Sequence, residues 1–148
     1  MGQSLSKILV HIIFSTKERR PWLSDQIANE LYRYIIGTLK QYDCETKIIG
    51  GIEDHIHILC SLSKNHASNK IIEKIKTSSS KWIKTKGEKY QDFYWQNGYG
   101  IFSVSSIHED IIYNYIFNQK EHHKKITFKE ELQKMLNKYV NVHMVTKK

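Results

Sequence analysis

The sequence predicts an α+β protein of the ferredoxin-like type, an antiparallel sheet with helices on one face, followed by C-terminal helices. One observation behind this prediction is the order of patterns along the chain, β-α-β-β-α-β. Another is the lack of internal boundaries, since Pro21 is the single proline and no glycine- or serine-rich linker divides the 148 residues. We therefore expect one domain over residues 1–148, with the opposite face of the sheet left open.

The predicted strands are runs rich in β-branched and aromatic residues, bounded by turn-forming residues. The middle two are close together in sequence, and we expect the chain to turn between them near Gly50 and Gly51. The strands are expected over residues 7–16, through Ile48 and Ile49, over residues 55–62, and within the aromatic-rich segment 94–106.

The predicted helices follow from apolar residues repeated every three or four positions. Ser24 is placed to cap the first helix, and Ser105 or Ser106 the third. Thr127 and Glu130 have the spacing of a capping box, in which each residue bonds the backbone of the other. The helices are expected from residue 25 to about 42, over 67–86, over 107–125 and over 127–139, before a basic tail at 140–148 that we expect to be flexible.

Composition restricts the classes of protein and partner. The chain has 23 Lys and Arg against 15 Asp and Glu, a net charge of +8 that favours a polyanionic partner such as nucleic acid. No apolar run is long enough to cross a bilayer, and the N-terminus does not have the pattern of a signal peptide. Cys44 and Cys60 are too few for a disulfide framework, so we expect reduced thiols and a cytoplasmic protein without a membrane partner.

Two histidines one residue apart stand out in the segment GGIEDHIHIL, residues 50–59. Side chains alternate between the faces of a strand, so His55 and His57 point the same way, about 7 Å apart. Together they can hold a metal ion if a third ligand comes from elsewhere, although a hydrogen-bonded pair without a metal also fits the pattern. Glu53 and Asp54 lie beside the pair, where either can orient an imidazole or serve only in the turn.

The segment DIIYNYIFNQKEHH can supply the missing ligand. Tyr115 and Gln119 are four residues apart and share one face of a helix. A glutamine oxygen suits Mg²⁺ or Mn²⁺, and a tyrosine one turn away can attack an electrophile that the metal polarises. The alternative is core packing, which is the more common role of a tyrosine and isoleucine stripe. His122 and His123 fit a solvated helix end, phosphate contacts or further ligands.

Three segments together, GGIEDHIHIL, YWQNGYGIFSVS and YNYIFNQKEHH, resemble the single-tyrosine HUH transposases of single-strand insertion sequences. The family motif of histidine, hydrophobic residue and histidine matches residues 55–57. The Tyr-x-x-x-Gln motif of its catalytic helix matches Tyr115 and Gln119. The N-terminal segment FSTKERRPW is also similar, and the segments occur in the family's order over nearly the whole chain.

The resemblance implies that His55, His57 and Gln119 hold one divalent cation, Mg²⁺ or Mn²⁺. It implies that Tyr115 is the nucleophile, which attacks single-stranded DNA to give a 5′-phosphotyrosine link and a free 3′-OH. The implied partners are DNA hairpins and a second copy of the chain, in a homodimer whose active sites are completed in trans. Our candidates for DNA contacts are Lys17, Arg19, Arg20, Lys74, Lys76, Lys81, Lys84, His122 and His123, with Trp95, Tyr99 and Phe102 as candidates for base stacking.

Three other interpretations remain open from the sequence. A noncatalytic ferredoxin-like module can bind single-stranded DNA or RNA through an open sheet face and basic helices. A metal-dependent hydrolase can use water in place of Tyr115 as the attacking group. A domesticated, repeat-associated nuclease of the same motif class also shares these residues.

Overall fold

Four antiparallel strands form one sheet in the order β2-β3-β1-β4 in the computed structural model, which describes residues 4–139. This order and the alternation with helices confirm the predicted α+β class. The strands are β1 (Leu9–Ser15), β2 (Thr46–Ile52), β3 (His55–Ser61) and β4 (Gly100–Val104). The helices are α1 (Asp25–Gln41), α2 (Ser68–Lys84), α3 (Glu109–Phe117), α4 (Gln119–His122) and α5 (Phe128–Tyr139). The predicted tail at 140–148 lies outside the described residues.

One face of the sheet carries the main hydrophobic core. Alternate residues of β1 and β3, among them Ile12 and Ile58, are buried against α1 and α2. The crossover helices contribute buried residues at helical spacing, such as Leu31 and Ile35 from α1 and Ile72 from α2. These elements agree with the predicted arrangement, because strand alternation and helical periodicity both direct apolar side chains into this layer.

The opposite face is not open, and this part of the prediction is wrong. Ile112 and Ile116 of α3 pack there against Leu9 and Leu59 of the sheet, and α4 and α5 lie on the same side. The reason is that the C-terminal helices bury their own apolar stripe on the sheet. The face that carries His55 and His57 is therefore interior. Among residues 4–139, no helix is long and apolar enough to span a membrane.

The expected turn at Gly50 and Gly51 is also wrong, because both glycines lie inside β2. The chain instead turns between Ile52 and His55. A Cβ atom on Gly50 would lie 2.6 Å from the carbonyl oxygen of Ile116, so this glycine allows α3 to approach the sheet closely.

The C-terminal helical region is divided more finely than predicted. Residue Asn118, with φ −97° and ψ 22°, separates α3 from α4. Ser24 stands at the N-cap of α1 without a capping bond from its side chain. The capping box before α5 is confirmed, since the Thr127 amide donates to Glu130 Oε1 at 2.9 Å and the Glu130 amide to Thr127 Oγ1 at 3.1 Å. This cap fixes the start of the helix that reaches the histidine pair.

Candidate active site

His55 and His57 lie side by side on β3 and are both fully buried. Their Nε2 atoms face one carboxylate oxygen, Glu131 Oε1, at 3.1 Å and 3.2 Å. Strand alternation places the two imidazoles on one face, as predicted, and α5 brings the carboxylate over them. The three ligand atoms lie within 4.8 Å of one another, so the group can hold a metal ion.

Each imidazole is oriented by a partner on its Nδ1 atom. Asp54 Oδ1 lies 2.8 Å from Nδ1 of His55, and His11 Nε2 of strand β1 lies 2.8 Å from Nδ1 of His57. A carboxylate only accepts hydrogen bonds, so His57 Nε2 must donate to Glu131 and its Nδ1 must accept from His11. Both rings are thus fixed at a defined angle, as metal-binding histidines usually are.

Gln119, the first residue of α4, reaches the same cluster. Its Oε1 atom lies 3.1 Å from His55 Nε2, and its amide nitrogen donates to Glu131 Oε2 at 2.8 Å. The break at Asn118 changes the path of the chain without moving Gln119 away from the histidines. The structure therefore brings together the two histidines and the glutamine that the sequence singled out.

Tyr115 of α3 completes the group. Its hydroxyl donates to Glu131 Oε2, and His122 Nε2 lies 3.3 Å from the hydroxyl oxygen. The tyrosine ring lies 5.6 Å from the His57 ring, centre to centre. A cleft of about 140 Å³ opens beside it, lined in part by His11 and Glu131. The phenol thus stands between the buried donors and an accessible cleft.

Electrostatics favour a neutral His57 beside an ionised Glu131. Burial lowers the pKa of His57 to about 4 and that of His11 to about 3. Burial also opposes a charge on His55, but its hydrogen bonds to Asp54 and Glu131 outweigh this and raise its pKa. Burial opposes ionisation of Glu131, yet the bonds from His55 and His57 hold its pKa well below the usual range.

Metal binding requires an imidazole nitrogen without a hydrogen, and a neutral His57 can offer its Nε2 atom to a cation when its one hydrogen lies on Nδ1. Two imidazole nitrogens, an amide oxygen and a carboxylate oxygen are suitable ligands for Mg²⁺ or Mn²⁺. A lowered pKa keeps His57 neutral at neutral pH, and the Nδ1 partners hold both rings in place. The residues therefore fit the divalent cation that the sequence led us to expect.

Sequence reasoning missed His11 and Glu131. Each had a signal, namely a single polar residue in an apolar pattern. His11 interrupts the buried run of β1, and Glu131 lies with Phe128 and Met135 on one stripe of α5. Neither pattern identifies the residue that the polar side chain contacts, because that residue comes from a segment distant in sequence.

The candidate DNA contacts lie in three settings. Lys74, Lys81, Arg19 and Arg20 are exposed. Lys76 Nζ and Lys84 Nζ donate to backbone oxygens of the segment before β4, and Lys17 lies 5.7 Å from the centre of the Tyr94 ring. His122 and His123 turn toward Glu131. Of the stacking candidates, Trp95 is buried, Phe102 is half-buried and Tyr99 is exposed.

Most of the chain matches a known protein family. Residues 4–119 match the family described as "Transposase IS200 like". None of the curated proteins matches the sequence significantly.

The solved structures that share the fold include two transposases. One is a candidate transposase from Deinococcus radiodurans R1, with 23% identity and a TM-score of 0.63 over 80% of this chain and 96% of that one. The other is a REP-associated tyrosine transposase bound to a REP hairpin, with 14% identity and a TM-score of 0.63 over 85% and 76% of the two chains. At these identities the likeness shows a common architecture.

Proposed function

The chain belongs to the family of IS200-like transposases, and we propose that it cleaves and rejoins single-stranded DNA through a phosphotyrosine intermediate. The membership confirms the resemblance found in the sequence. Tyr115 is the nucleophile in this proposal. The observation that carries it is the position of the Tyr115 hydroxyl, which shares the Glu131 carboxylate with both histidines of the candidate metal site.

The proposed chemistry is an exchange of one phosphate ester for another. The Tyr115 oxygen forms a bond to phosphorus, and the bond from phosphorus to the 3′ oxygen breaks. The phenol loses one proton and the departing 3′ oxygen gains one, so the step leaves a 5′-phosphotyrosine and a free 3′-OH. A 3′-OH then attacks a phosphotyrosine to rejoin strands. The energy of the ester bond is conserved, so the exchange needs no nucleotide cofactor.

His55, His57 and Gln119 are the proposed ligands of a divalent cation, Mg²⁺ or Mn²⁺. When bound, such a cation would polarise the scissile phosphate and stabilise its negative charge. The chain's own contribution is orientation, since Asp54 and His11 fix the two rings. Substitution of His57 by Ala should remove cleavage while leaving DNA binding intact.

We expect a covalent adduct to form between the protein and single-stranded DNA taken from either side of its gene, where hairpins should mark the element ends. The assay uses end-labelled DNA with Mg²⁺ or Mn²⁺ and a denaturing gel. Tyr115→Phe should abolish the protein-linked 5′ end. Tyr113→Phe is the matched control, because Tyr113 lies on the same helix and is 40% exposed.

The same gel separates the alternatives. Adduct formation by the Tyr115→Phe variant would show that another residue is the nucleophile. A free 5′-phosphate without adduct would indicate hydrolysis by water, and binding without any cleavage would indicate a noncatalytic module.

We also propose that the active form is a homodimer whose sites are completed in trans. Within one chain, Tyr115 already lies beside its own His57, so the residues alone do not distinguish the two arrangements. The measurement is a mixture of the His57→Ala and Tyr115→Phe variants, allowed to exchange subunits. Recovered adduct formation is expected, and a mixture that stays inactive would show that the tyrosine acts within its own chain.

The DNA partner itself is proposed to carry hairpins, as does the DNA bound by one structural neighbour. Phosphate contacts are assigned to the basic residues named from the sequence. Among these, Arg19, Arg20, Lys74 and Lys81 have exposed side chains that can reach a phosphate without leaving a partner in the interior.

A further inference from the structure

We propose that helix α5 closes the active site in this conformation, with the Glu131 carboxylate lying where an anionic oxygen of the DNA phosphate binds. DNA must then displace α5 before cleavage. This inference rests on the proposed function, because it states that Glu131 occupies the position at which that site would bind the DNA phosphate.

Burial is the first line of evidence. His55 and His57 are 0% exposed, and Gln119 and Glu131 are 1% exposed. A phosphodiester in contact with a cation on these donors would have to occupy space that the chain fills. The cleft beside Tyr115 is lined by Glu131, and neither His55 nor His57 lines it. The donors are therefore closed to DNA while α5 is docked.

The contacts of Glu131 are those of a bound anion. Oε1 lies 3.1 Å and 3.2 Å from Nε2 of His55 and His57, and 2.9 Å from Nε2 of His123. Oε2 accepts from the Gln119 amide and the Tyr115 hydroxyl. A phosphodiester also offers two anionic oxygens to such a group. One carboxylate thus joins the metal-site donors to the nucleophile, as the scissile phosphate must.

Glu131 also competes with a cation for the same nitrogen atoms. A metal ion takes the lone pair of an imidazole Nε2, whereas the bond from His57 Nε2 to Glu131 requires a hydrogen on that atom. The two states are mutually exclusive at His57. A cation at His57 Nε2 therefore has to displace the hydrogen bond to Glu131.

A small number of side chains hold α5 in place. The Phe128 ring lies 4.3 Å from the His55 ring, and Met135 is buried farther along the helix. Displacement of α5 exposes these groups and leaves the main core between the sheet and α1 and α2 intact. The helix can therefore open without unfolding the domain.

The test is a titration of the full chain with Mn²⁺ in the absence of DNA, with free Mn²⁺ measured by electron paramagnetic resonance. Glu131→Ala should tighten Mn²⁺ binding by about tenfold or more, because the hydrogen bonds from the histidines to the Glu131 carboxylate no longer compete with the ion. Phe128→Ala should act in the same direction by loosening α5. Gln133→Ala, exposed on the same helix, is the matched control and should bind as the wild type does. Thermal melting checks that each variant is folded.

Weaker or unchanged Mn²⁺ binding by a folded Glu131→Ala variant would overturn the inference, and weaker binding would identify Glu131 as a ligand. A second measurement follows hydrogen exchange in α5 of the wild type. Single-stranded oligothymidylate with Mn²⁺ should accelerate exchange of the α5 amides, and unchanged protection with DNA bound would also overturn the proposal. Because the titration contains no DNA, failure to form an adduct would contradict the proposed function alone.

Discussion

His11 connects strand β1 to the candidate metal site through a single hydrogen bond. Its Nε2 lies 2.8 Å from Nδ1 of His57, and the ring is buried. When His57 Nε2 binds a cation, its Nδ1 must carry the proton and donate it to His11. Loss of such a partner commonly lowers metal affinity about tenfold to a hundredfold.

We therefore expect His11→Ala to weaken Mn²⁺ binding by about tenfold to a hundredfold, as measured by calorimetry. His11→Asn, whose amide oxygen can accept the same bond, should recover part of the affinity. His108→Ala is the control, because that histidine is exposed and is not one of the residues in contact with His57. Unchanged affinity in His11→Ala would show that this contact does not orient His57.

For individual residues, strand alternation, helical spacing and motif resemblance predicted one cluster. Its members are His55, His57, Tyr115 and Gln119. Their roles remain predictions. His11 and Glu131 could not be assigned, because a single polar residue in an apolar stripe does not indicate what it will meet. That information comes from the packing of distant segments.

Gly50 illustrates how one residue sets the distance between two elements. Strand β2 passes under α3, and the missing side chain admits the carbonyl group of Ile116, the residue after Tyr115. A methyl group here would force α3 outward, since backbone atoms cannot rotate aside. The nucleophile would move with its helix.

We expect Gly50→Ala to lower the free energy of unfolding by about 1–3 kcal/mol, measured by urea denaturation, and to slow adduct formation. The matched control is Gly37→Ala on the exposed side of α1, where an added Cβ has no neighbour within 4 Å. That change should stabilise the protein by up to about 1 kcal/mol. Equal effects of the two substitutions would contradict the close approach of α3.

Element prediction succeeded where the signal was periodic and failed where it was local. The four strands and the helices α1, α2 and α5 follow from alternation, helical spacing and a capping box. The pair Gly50 and Gly51 suits a turn and a close approach equally well, and only the position of α3 distinguishes them. The break at Asn118 had no comparable signal in the sequence.

For the whole molecule, the error of most consequence was the open face. The βαββαβ order accounts for two helices on one side, but it does not say where the remaining helices pack. Because α3 and α5 cover the second face, the interior holds the Glu131 carboxylate and three buried imidazoles, those of His11, His55 and His57. The stability of the metal-free protein should consequently depend on pH.

The sign follows from the pKa shifts. His11 and His57, whose pKa values fall from 6.5 to about 3 and about 4, take up protons more readily when unfolded. Stability is therefore lost as pH falls below about 6.5, at about 1.4 kcal/mol per pH unit for each proton. Below a pH of about 4.5 the lowered pKa of Glu131 adds to the loss. The raised pKa of His55 acts oppositely, since its contribution is present below 6.5 and lost as pH rises through the folded value.

We expect the free energy of unfolding, measured by urea denaturation in EDTA, to be highest near pH 6.5 and to fall by about 1–4 kcal/mol at pH 5. His11→Asn removes one of the two buried titrating groups and should reduce this pH dependence by roughly half. His108→Gln, an exposed change, should leave it as in the wild type. A flat profile between pH 6.5 and 5 would mean that the imidazoles are not held neutral inside the protein, and it would contradict the buried arrangement under α5.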